Sequence, residues 1–331
     1  MDGTAGPKIE VFEPFSRAFD LTKLILFQPF DIGKWMVIGF AAFLANLAGG
    51  GGAGFNPARF WRGDWKWKMN SATTDVYQSA SAMPGWVLPM ALFGFLFILG
   101  LGLVLLWLGA RGRFIFADCV VRNRAAIQGP WREFKREGNS LFLFSLLVAV
   151  IMVLVLGLAA LPLLIPMAIN HDLPRGATLV LGVSLLAIVA LLFSVGYHLA
   201  ASFMLPVMYR RRCGAAEGFR AGLAAVSAHP GPVILYLLFT LVLRIAFLMV
   251  ACVLTCVTCC ITAIPYVGTV ILLPVYVFFM AYLLLFVRQF GPDYDPWANV
   301  VAVEPAAQTA PTTFPPPEAP PPSPEPPPVQ T

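Results

Sequence analysis

The apolar run LFLFSLLVAVIMVLVLGLAALPLLIPMAI, residues 141–169, contains no charged side chain. About 20 apolar residues in a helix cross the hydrocarbon core of a bilayer, which is about 30 Å thick, at a rise of about 1.5 Å per residue. This run is therefore long enough to span a membrane. Five further stretches share its character. Together they predict an all-α integral membrane bundle of six transmembrane helices, at about residues 35–54, 86–110, 141–169, 177–208, 233–261 and 264–287.

The composition of the whole chain is that of a membrane protein. Of its 331 residues, 59% are hydrophobic and 12% are charged, and the mean hydropathy is +0.78. Soluble domains are about 45–50% apolar and about 25% charged. Each polar interval is shorter than the roughly 50 residues that a soluble domain needs. We therefore expect no soluble catalytic domain, no enzymatic activity and no cofactor.

Three divisions of the chain follow from these patterns. Residues 1–34 form an N-terminal segment with an amphipathic helix, residues 35–290 form the membrane domain, and residues 291–331 form a Pro-rich tail. The N-terminal segment carries acids and bases throughout, so we expect no cleaved signal peptide. Residues 304–331 contain runs of proline, which are typical of an extended disordered tail. Such a tail is a candidate docking site for a cytoplasmic protein.

The distribution of the 22 basic residues predicts the orientation, because Lys and Arg near span ends stay on the cytoplasmic side. Six spans leave only Arg59, Arg62, Lys66, Lys68 and Arg175 outside. The first span is the weakest, since it ends in a run of four glycines, and a re-entrant segment is the alternative. That alternative divides the bases more evenly, so we predict both termini in the cytoplasm and a bacterial cytoplasmic membrane. The side predicted to be cytoplasmic holds Lys8, Arg17, Lys23, Lys34, Arg111, Arg113, Arg122, Arg124, Arg132, Lys135, Arg136, Arg210, Arg211, Arg212, Arg220 and Arg288.

A weak threefold repeat organises the six predicted spans. Each odd-numbered span follows an amphipathic stretch with an aromatic residue near a basic one, and each even-numbered span closes on an apolar run that ends in Arg. We interpret this as three units, each a cytoplasmic-side surface helix followed by a two-span hairpin. The first surface helix either lies on the membrane or packs on the bundle as a connector. Its apolar face consists of Phe15, Ala18, Leu21, Leu24 and Ile25.

Two segments resemble a group of uncharacterised bacterial multi-span membrane proteins. They are residues 27–35, FQPFDIGKW, and residues 111–132, which begin RGRFIFAD and end in PWR. The resemblance covers about residues 12–288. The same region is more loosely similar to the membrane domain attached to some glycerophosphodiester phosphodiesterases. The resemblance implies a multi-span fold with repeated surface helices and no particular activity, since the phosphodiesterase catalytic domain is absent.

Arg244 lies in the middle of the fifth predicted span, where a charged side chain is costly. Counted along their helices, Arg244 and His198 lie at similar depths, about 18 Å from the cytoplasmic ends. One interpretation is a binding site for an anionic group. The other is a structural hydrogen bond, or an arginine that reaches backbone carbonyls.

The end of the second span decides whether further charges enter the membrane. If the span continues from Ala110 to Val121, it carries Arg111, Arg113 and Asp118 inward. Arg111 and Asp118 are seven residues apart and share a helical face, so Asp118 is a candidate partner for Arg111 or for Arg244. If the span ends at Ala110, both arginines are ordinary cytoplasmic anchors.

Four cysteines lie near the outer end of the fifth span, namely Cys252, Cys256, Cys259 and Cys260. Their spacing places them on one helical arc, which permits thiol chemistry at Cys256 and Cys259. No His or carboxylate lies nearby in sequence, so we predict no metal site and interpret the cysteines as small packing residues.

The outer loop between the first two spans carries aromatic and basic residues in alternation. Such a pattern is typical of an interfacial belt, and specific recognition of anionic lipids is the alternative. No nucleotide-binding or hydrolase motif occurs, and a loop that faces away from the cytoplasm is not expected to bind nucleic acid. The candidate lipid contacts are Trp61, Arg62, Trp65, Lys66, Trp67 and Lys68.

Three functions remain open from the sequence. The first is non-enzymatic handling or transport of a solute or lipid with an anionic group, at Arg244 and His198 with Arg111 and Asp118. The second is a membrane scaffold that recruits partners through its surface helices and tail. The third is a membrane thiol oxidoreductase.

The predicted topology can be tested in the first outer loop. A reporter enzyme fused at Asp75, active only outside the cytoplasm, is expected to be active, because residues 35–54 cross the membrane in the six-span arrangement. A reporter fused at Arg220 serves as the cytoplasmic control and is expected to be inactive. A cytoplasmic reporter at Asp75 contradicts six spans.

Overall fold

The computed structural model describes residues 9–47, 86–170, 176–257 and 264–301, and no strand occurs within these ranges. The prediction of an all-α chain is confirmed there. Residues 304–331, the predicted outer loop contacts at 61–68, and Cys259 and Cys260 lie outside the described residues. The helices are α1 (Phe12–Phe27), α2 (Ile32–Leu47), α3 (Val87–Val121), α4 (Gln128–Glu133), α5 (Lys135–Asn170), α6 (Ala177–Arg211), α7 (Ala215–Ala228), α8 (Pro230–Val257), α9 (Pro265–Ile271), α10 (Leu273–Arg288) and α11 (Ala298–Val301), with a 3-10 turn at Pro292–Tyr294.

Four helices are long and apolar enough to cross a membrane. They are α3, α5, α6 and α8, of which even the shortest, α8, has 28 residues and rises about 42 Å. The apolar helices α2 and α10 have 16 residues each. The structure therefore supports a membrane protein with four helices of spanning length.

Several helices begin or end away from the predicted boundaries. Helix α3 continues without a break to Val121, as in the longer of the two alternatives, and α5 begins six residues before residue 141. The second predicted surface helix is reduced to the six residues of α4, since the chain turns at Phe134 and enters α5 at once.

The last predicted span, residues 264–287, is two helices and not one. Helix α9 ends at Ile271 and α10 begins at Leu273, with Leu272 between them. The cause is Pro274, which has no backbone N–H to donate and whose ring obstructs a continuous helix. The Val275 N–H bonds to the Leu272 carbonyl in a tighter turn.

The buried core lies at one end of the bundle. We call this the basal end, where α3 ends at Val121, α6 ends at Arg211 and α8 begins at Pro230. Its buried apolar side chains come from the C-terminal parts of α3, α6 and α10 and from α1 and α2. Away from the basal end, the apolar side chains of α3, α5, α6 and α8 are mostly exposed. Those surfaces suit contact with acyl chains.

Helix α1 packs against α10 with the face predicted to be apolar. Ala18 and Ile25 are fully buried, and the Phe15 ring meets the rings of Phe278 and Phe239 edge to face, at 5.3 and 5.6 Å between centroids. Leu24, which was predicted on the same face, is exposed. Of the two alternatives for this face, packing on the bundle is the one observed.

Helices α2 and α3 approach each other closely at Gly112. A methyl group added at Gly112 would lie 2.5 Å from the carbonyl carbon of Leu44 and 2.6 Å from the backbone nitrogen of Ala45. Only glycine therefore allows the two backbones this distance. The contact fixes the position and rotation of α3, which carries Arg111, Arg113 and Asp118.

This close approach predicts the effect of Gly112→Ala. The added methyl group forces α2 and α3 apart and lowers the free energy of unfolding by about 1–3 kcal/mol. Gly102→Ala is the matched control in the same helix, because nothing lies within 4 Å of the added methyl group. It is expected to raise stability by up to about 1 kcal/mol through helix propensity. Thermal unfolding of the purified protein in detergent measures both, and equal melting temperatures for the two variants contradict the packing described.

Candidate functional site

Two arginines from different helices lie within electrostatic range of a histidine on a third helix, away from the basal core. Arg113 comes from α3, His198 from α6 and Arg244 from α8, and the charges of both arginines act on the His198 imidazole. We call these three residues the basic cluster. His198 and Arg244 were predicted at a common depth, and the structure brings them into electrostatic range of each other.

The basic cluster lies deep along its helices. Counted from the basal end at 1.5 Å per residue, Arg244 lies about 21 Å from Pro230 and His198 lies about 20 Å from Arg211. Arg113 lies about 12 Å from Val121. The long arginine side chain can bridge the remaining difference in depth to His198 and Arg244. The cluster therefore extends from near the basal core to about the middle of the spanning helices.

His198 and Arg244 are both exposed at the surface of the bundle. The α8 residues around Arg244 are apolar and exposed too, with Leu241 at 54%, Ile245 at 54% and Leu248 at 65% of their accessible area. A guanidinium thus stands on a surface that otherwise suits acyl chains. Such a charge is costly unless it finds a partner, water or a route to the interface.

Few protein groups satisfy the Arg244 guanidinium. Its central carbon lies 5.6 Å from the centroid of the Phe279 ring on α10, a weak cation–π contact. Across residues 9–47, 86–170, 176–257 and 264–301, no ion pair or side-chain hydrogen bond of Arg113, His198 or Arg244 is formed. The structural hydrogen bond that was the alternative explanation is therefore not observed in these ranges.

Polar side chains continue from Arg244 towards the basal end along one face of α8. Thr240 lies one turn away and Tyr236 two turns away, and both are buried. The hydroxyl groups of Tyr236 and Thr240 are neighbours, and the charge of Arg244 acts on the Tyr236 hydroxyl. The Tyr236 ring stacks on Phe286 at 4.1 Å between centroids, which anchors this face of α8 to α10.

Arg111, a predicted site residue, is held in the protein and does not join the basic cluster. Its guanidinium lies 4.5 Å from the centroid of the Trp107 ring and 5.0 Å from that of Trp131. Its Nε and Nη2 donate to Asn139 Oδ1 at 3.1 and 2.9 Å, and Trp107 Nε1 donates to the same oxygen. Gly138 leaves space for the side chain, since a methyl group there would lie 2.8 Å from Arg111 Cγ. This arrangement connects α3 to α4 and α5.

Asp118 is fully buried and forms an ion-pair centre at the basal end. Arg124 Nε and Nη2 donate to Oδ2 at 3.0 and 2.9 Å, and the Tyr209 hydroxyl donates to Oδ1 at 2.9 Å. Arg122 Nε lies 3.1 Å from Oδ1. The hypothesis that Asp118 pairs with Arg111 or Arg244 is therefore not supported, because nearer arginines and Tyr209 already occupy its oxygens.

Glu133 extends this centre to α4 and to the end of α6. Arg122 Nη2 donates to Glu133 Oε1 at 3.0 Å, and the Arg212 guanidinium bonds to the same carboxylate. Burial disfavours the charged form of Arg122, but Asp118, Tyr209 and Glu133 outweigh burial and raise the pKa of its guanidinium. The ion pairs of Asp118 and Glu133 with these arginines hold α3, α4 and α6 together.

Arg113 is the member of the basic cluster that was not predicted as a site residue. It follows Arg111 by two positions, so the two side chains leave α3 on nearly opposite faces. The sequence signal was present, because Arg113 enters the membrane together with Arg111 if the second span is long. The rotation of α3 determines whether Arg111 or Arg113 points towards the other spans.

The remaining candidates are separate from the basic cluster. Cys252 and Cys256 are free, exposed thiols on α8, farther from the basal end than Arg244. Within the part of the chain that the structure describes, no group of three His, Cys, Asp or Glu side chains is placed to hold a metal ion.

Comparison with known proteins gives a family. The model of a family of unknown function, DUF7544, matches residues 9–290. The chain belongs to the DUF7544 family. This confirms the expectation of an uncharacterised family, and the match covers every helix from α1 to α10. No match to the chain was found among curated proteins or among solved structures.

Asp118→Asn tests the ion-pair centre. The variant removes the charge that balances Arg122 and Arg124, and we expect a loss of about 2–3 kcal/mol in the free energy of unfolding. This is less than for a fully buried pair, because both arginines are partly exposed. Glu13→Gln, which breaks the exposed pair with Arg17, is the control and is expected to cost less than about 0.5 kcal/mol. Equal thermal stability of the two variants in detergent contradicts the role given to Asp118.

Proposed function

We propose that the protein binds a solute or lipid through an anionic group at the basic cluster of Arg113, His198 and Arg244, without catalysing a reaction. The observation that supports this proposal is that Arg113 and Arg244, from two different helices, lie within electrostatic range of His198 on a third. None of the three forms an ion pair within the described residues. A charge without a partner is costly in a medium of low dielectric constant, and a bound anion supplies the missing partner.

The chemistry of the cluster favours a phosphate or carboxylate. Arginine presents several N–H donors in a planar fork that matches these groups, and charge-assisted hydrogen bonds are stronger than neutral ones. Tyr236 and Thr240 add hydroxyl groups on the face of α8 that carries Arg244. Arg111 and Asp118, which were candidates from the sequence, serve in this proposal as structural supports for α3.

We also propose the six-span topology, with both termini cytoplasmic, in the cytoplasmic membrane of a bacterium. In this arrangement the basal end faces the cytoplasm, and α2 and the broken helix α9–α10 cross with the four long helices. The order of the helices supports three units of a surface helix followed by a hairpin, beginning at α1, α4 and α7. The loose similarity to the phosphodiesterase-associated membrane domain stays a prediction from the residues quoted for it.

The outer face of α1 supports a place for this helix at the membrane surface. Phe12, Phe19 and Phe27 are exposed at 66%, 62% and 48%, and Lys23 is exposed nearby. Aromatic rings and a lysine on one side of a helix suit the boundary between headgroups and acyl chains. Helix α1 thus packs on α10 with one face and, in our proposal, rests on lipid with the next.

Arg244→Gln tests the proposed function directly. Purified protein in neutral detergent is titrated with inorganic phosphate and, separately, with phosphatidylglycerol, and its melting temperature is followed. A ligand that binds the folded state raises this temperature. We expect at least one probe to stabilise the wild type. Loss of charge-assisted hydrogen bonds of about 1.5–3 kcal/mol weakens binding to Arg244→Gln at least tenfold.

Arg220→Gln is the matched control, because Arg220 is exposed on α7, far from the cluster along the chain. It should respond to both probes like the wild type. The proposal fails if neither probe stabilises the wild type, or if Arg244→Gln responds as strongly as Arg220→Gln.

A further inference from the structure

The ligand class follows from the way in which the basic cluster is exposed, and the inference rests on the proposed function. His198 and Arg244 lie at the surface of α6 and α8 and not in an enclosed cavity. Their neighbours on this surface are apolar and exposed, including Leu192 at 68%, Val195 at 49% and Leu241 at 54%. In a membrane, acyl chains are what covers such a surface.

A free anion in water meets an apolar surface around His198 and Arg244 on α6 and α8. It would have to leave its hydration shell and pass apolar side chains, at the high cost of moving a charge into a medium of low dielectric constant. A lipid differs from a free anion in one respect. Its own acyl chains cover the apolar surface of α6 and α8 while its headgroup meets the arginine.

The depths of the three basic residues also suit a headgroup that arrives along the helices. Arg113 lies about 12 Å from the basal end, and His198 and Arg244 lie about 20 Å from it. The two arginines thus place positive charge near the membrane surface and towards its middle, and the His198 imidazole lies at the deeper level. A phosphate that leaves the surface can thus exchange one cation for the next and is not left without a partner.

We propose that the basic cluster takes the phosphate headgroup of an anionic membrane lipid, which enters sideways from the bilayer between α6 and α8. Phosphatidylglycerol represents this chemical class, because it combines a phosphodiester anion with two acyl chains. This lipid and a soluble anion such as inorganic phosphate have the phosphate group in common. The difference is that only the lipid brings the apolar part that the exposed surface accommodates.

The test uses the full chain in nanodiscs of phosphatidylcholine with a minor share of phosphatidylglycerol. Native mass spectrometry counts the lipids that stay bound when the protein is released. The wild type and Arg220→Gln are expected to retain phosphatidylglycerol about tenfold above its share in the bilayer. Arg244→Gln loses this enrichment, and Arg244→Lys, which keeps the charge, retains part of it.

A second arm separates the lipid from a soluble source of phosphate. Inorganic phosphate and glycerol 3-phosphate are added to the protein in nanodiscs of phosphatidylcholine alone, and the melting temperature is measured. We expect no stabilisation by either compound. A rise that Arg244→Gln abolishes overturns the lipid assignment and leaves the proposed anion site standing. The lipid assignment is also overturned if phosphatidylglycerol is not enriched, or is enriched equally in the wild type and Arg244→Gln. If, in addition, neither soluble compound stabilises the protein, the proposed anion site is overturned as well.

Discussion

The buried carboxylate of Asp118 is the constraint on which the basal end of the bundle depends. A charge without exposure to solvent needs partners, and Asp118 obtains them from the turn after α3, through Arg122 and Arg124, and from α6, through Tyr209. Glu133 then joins α4 and the end of α6 to the same arginines. The position of α3 against α6 is thereby fixed, and with it the distance between the helices that carry Arg113 and His198.

The helical class and the depth of the charged residues were predictable from sequence, whereas their rotation about each helix was not. Apolar runs give the spans because their length relates directly to bilayer thickness. Pro274 offered a signal for the break at Leu272 that the interpretation of residues 264–287 as one span passed over. Arg122 stands four residues after Asp118, so that pair was also visible in the sequence. Tyr209 was not, because it is distant in the chain and meets Asp118 only after α3 and α6 pack.

The same limit explains why Arg111 was selected from the sequence and Arg113 was not. Spacing alone placed Arg111 and Asp118 on one face of α3 but did not say which neighbours that face meets. The close approach of Gly112 to Leu44 and Ala45 decides this rotation. Arg111 contacts Trp107, Trp131 and Asn139, and the charge of Arg113 acts on His198. Core packing at the basal end therefore determines which cations remain available for a ligand.

The proposed site lies where this compact end gives way to helices whose apolar surfaces are exposed. A high-resolution experimental structure of the protein in nanodiscs that contain phosphatidylglycerol is the most direct measurement of the central claim. The account predicts phosphate density within hydrogen-bond distance of the Arg244 guanidinium, between α6 and α8, with acyl-chain density along the neighbouring apolar residues. A guanidinium bonded only to backbone carbonyls or protein side chains, with no headgroup beside it, would contradict the account.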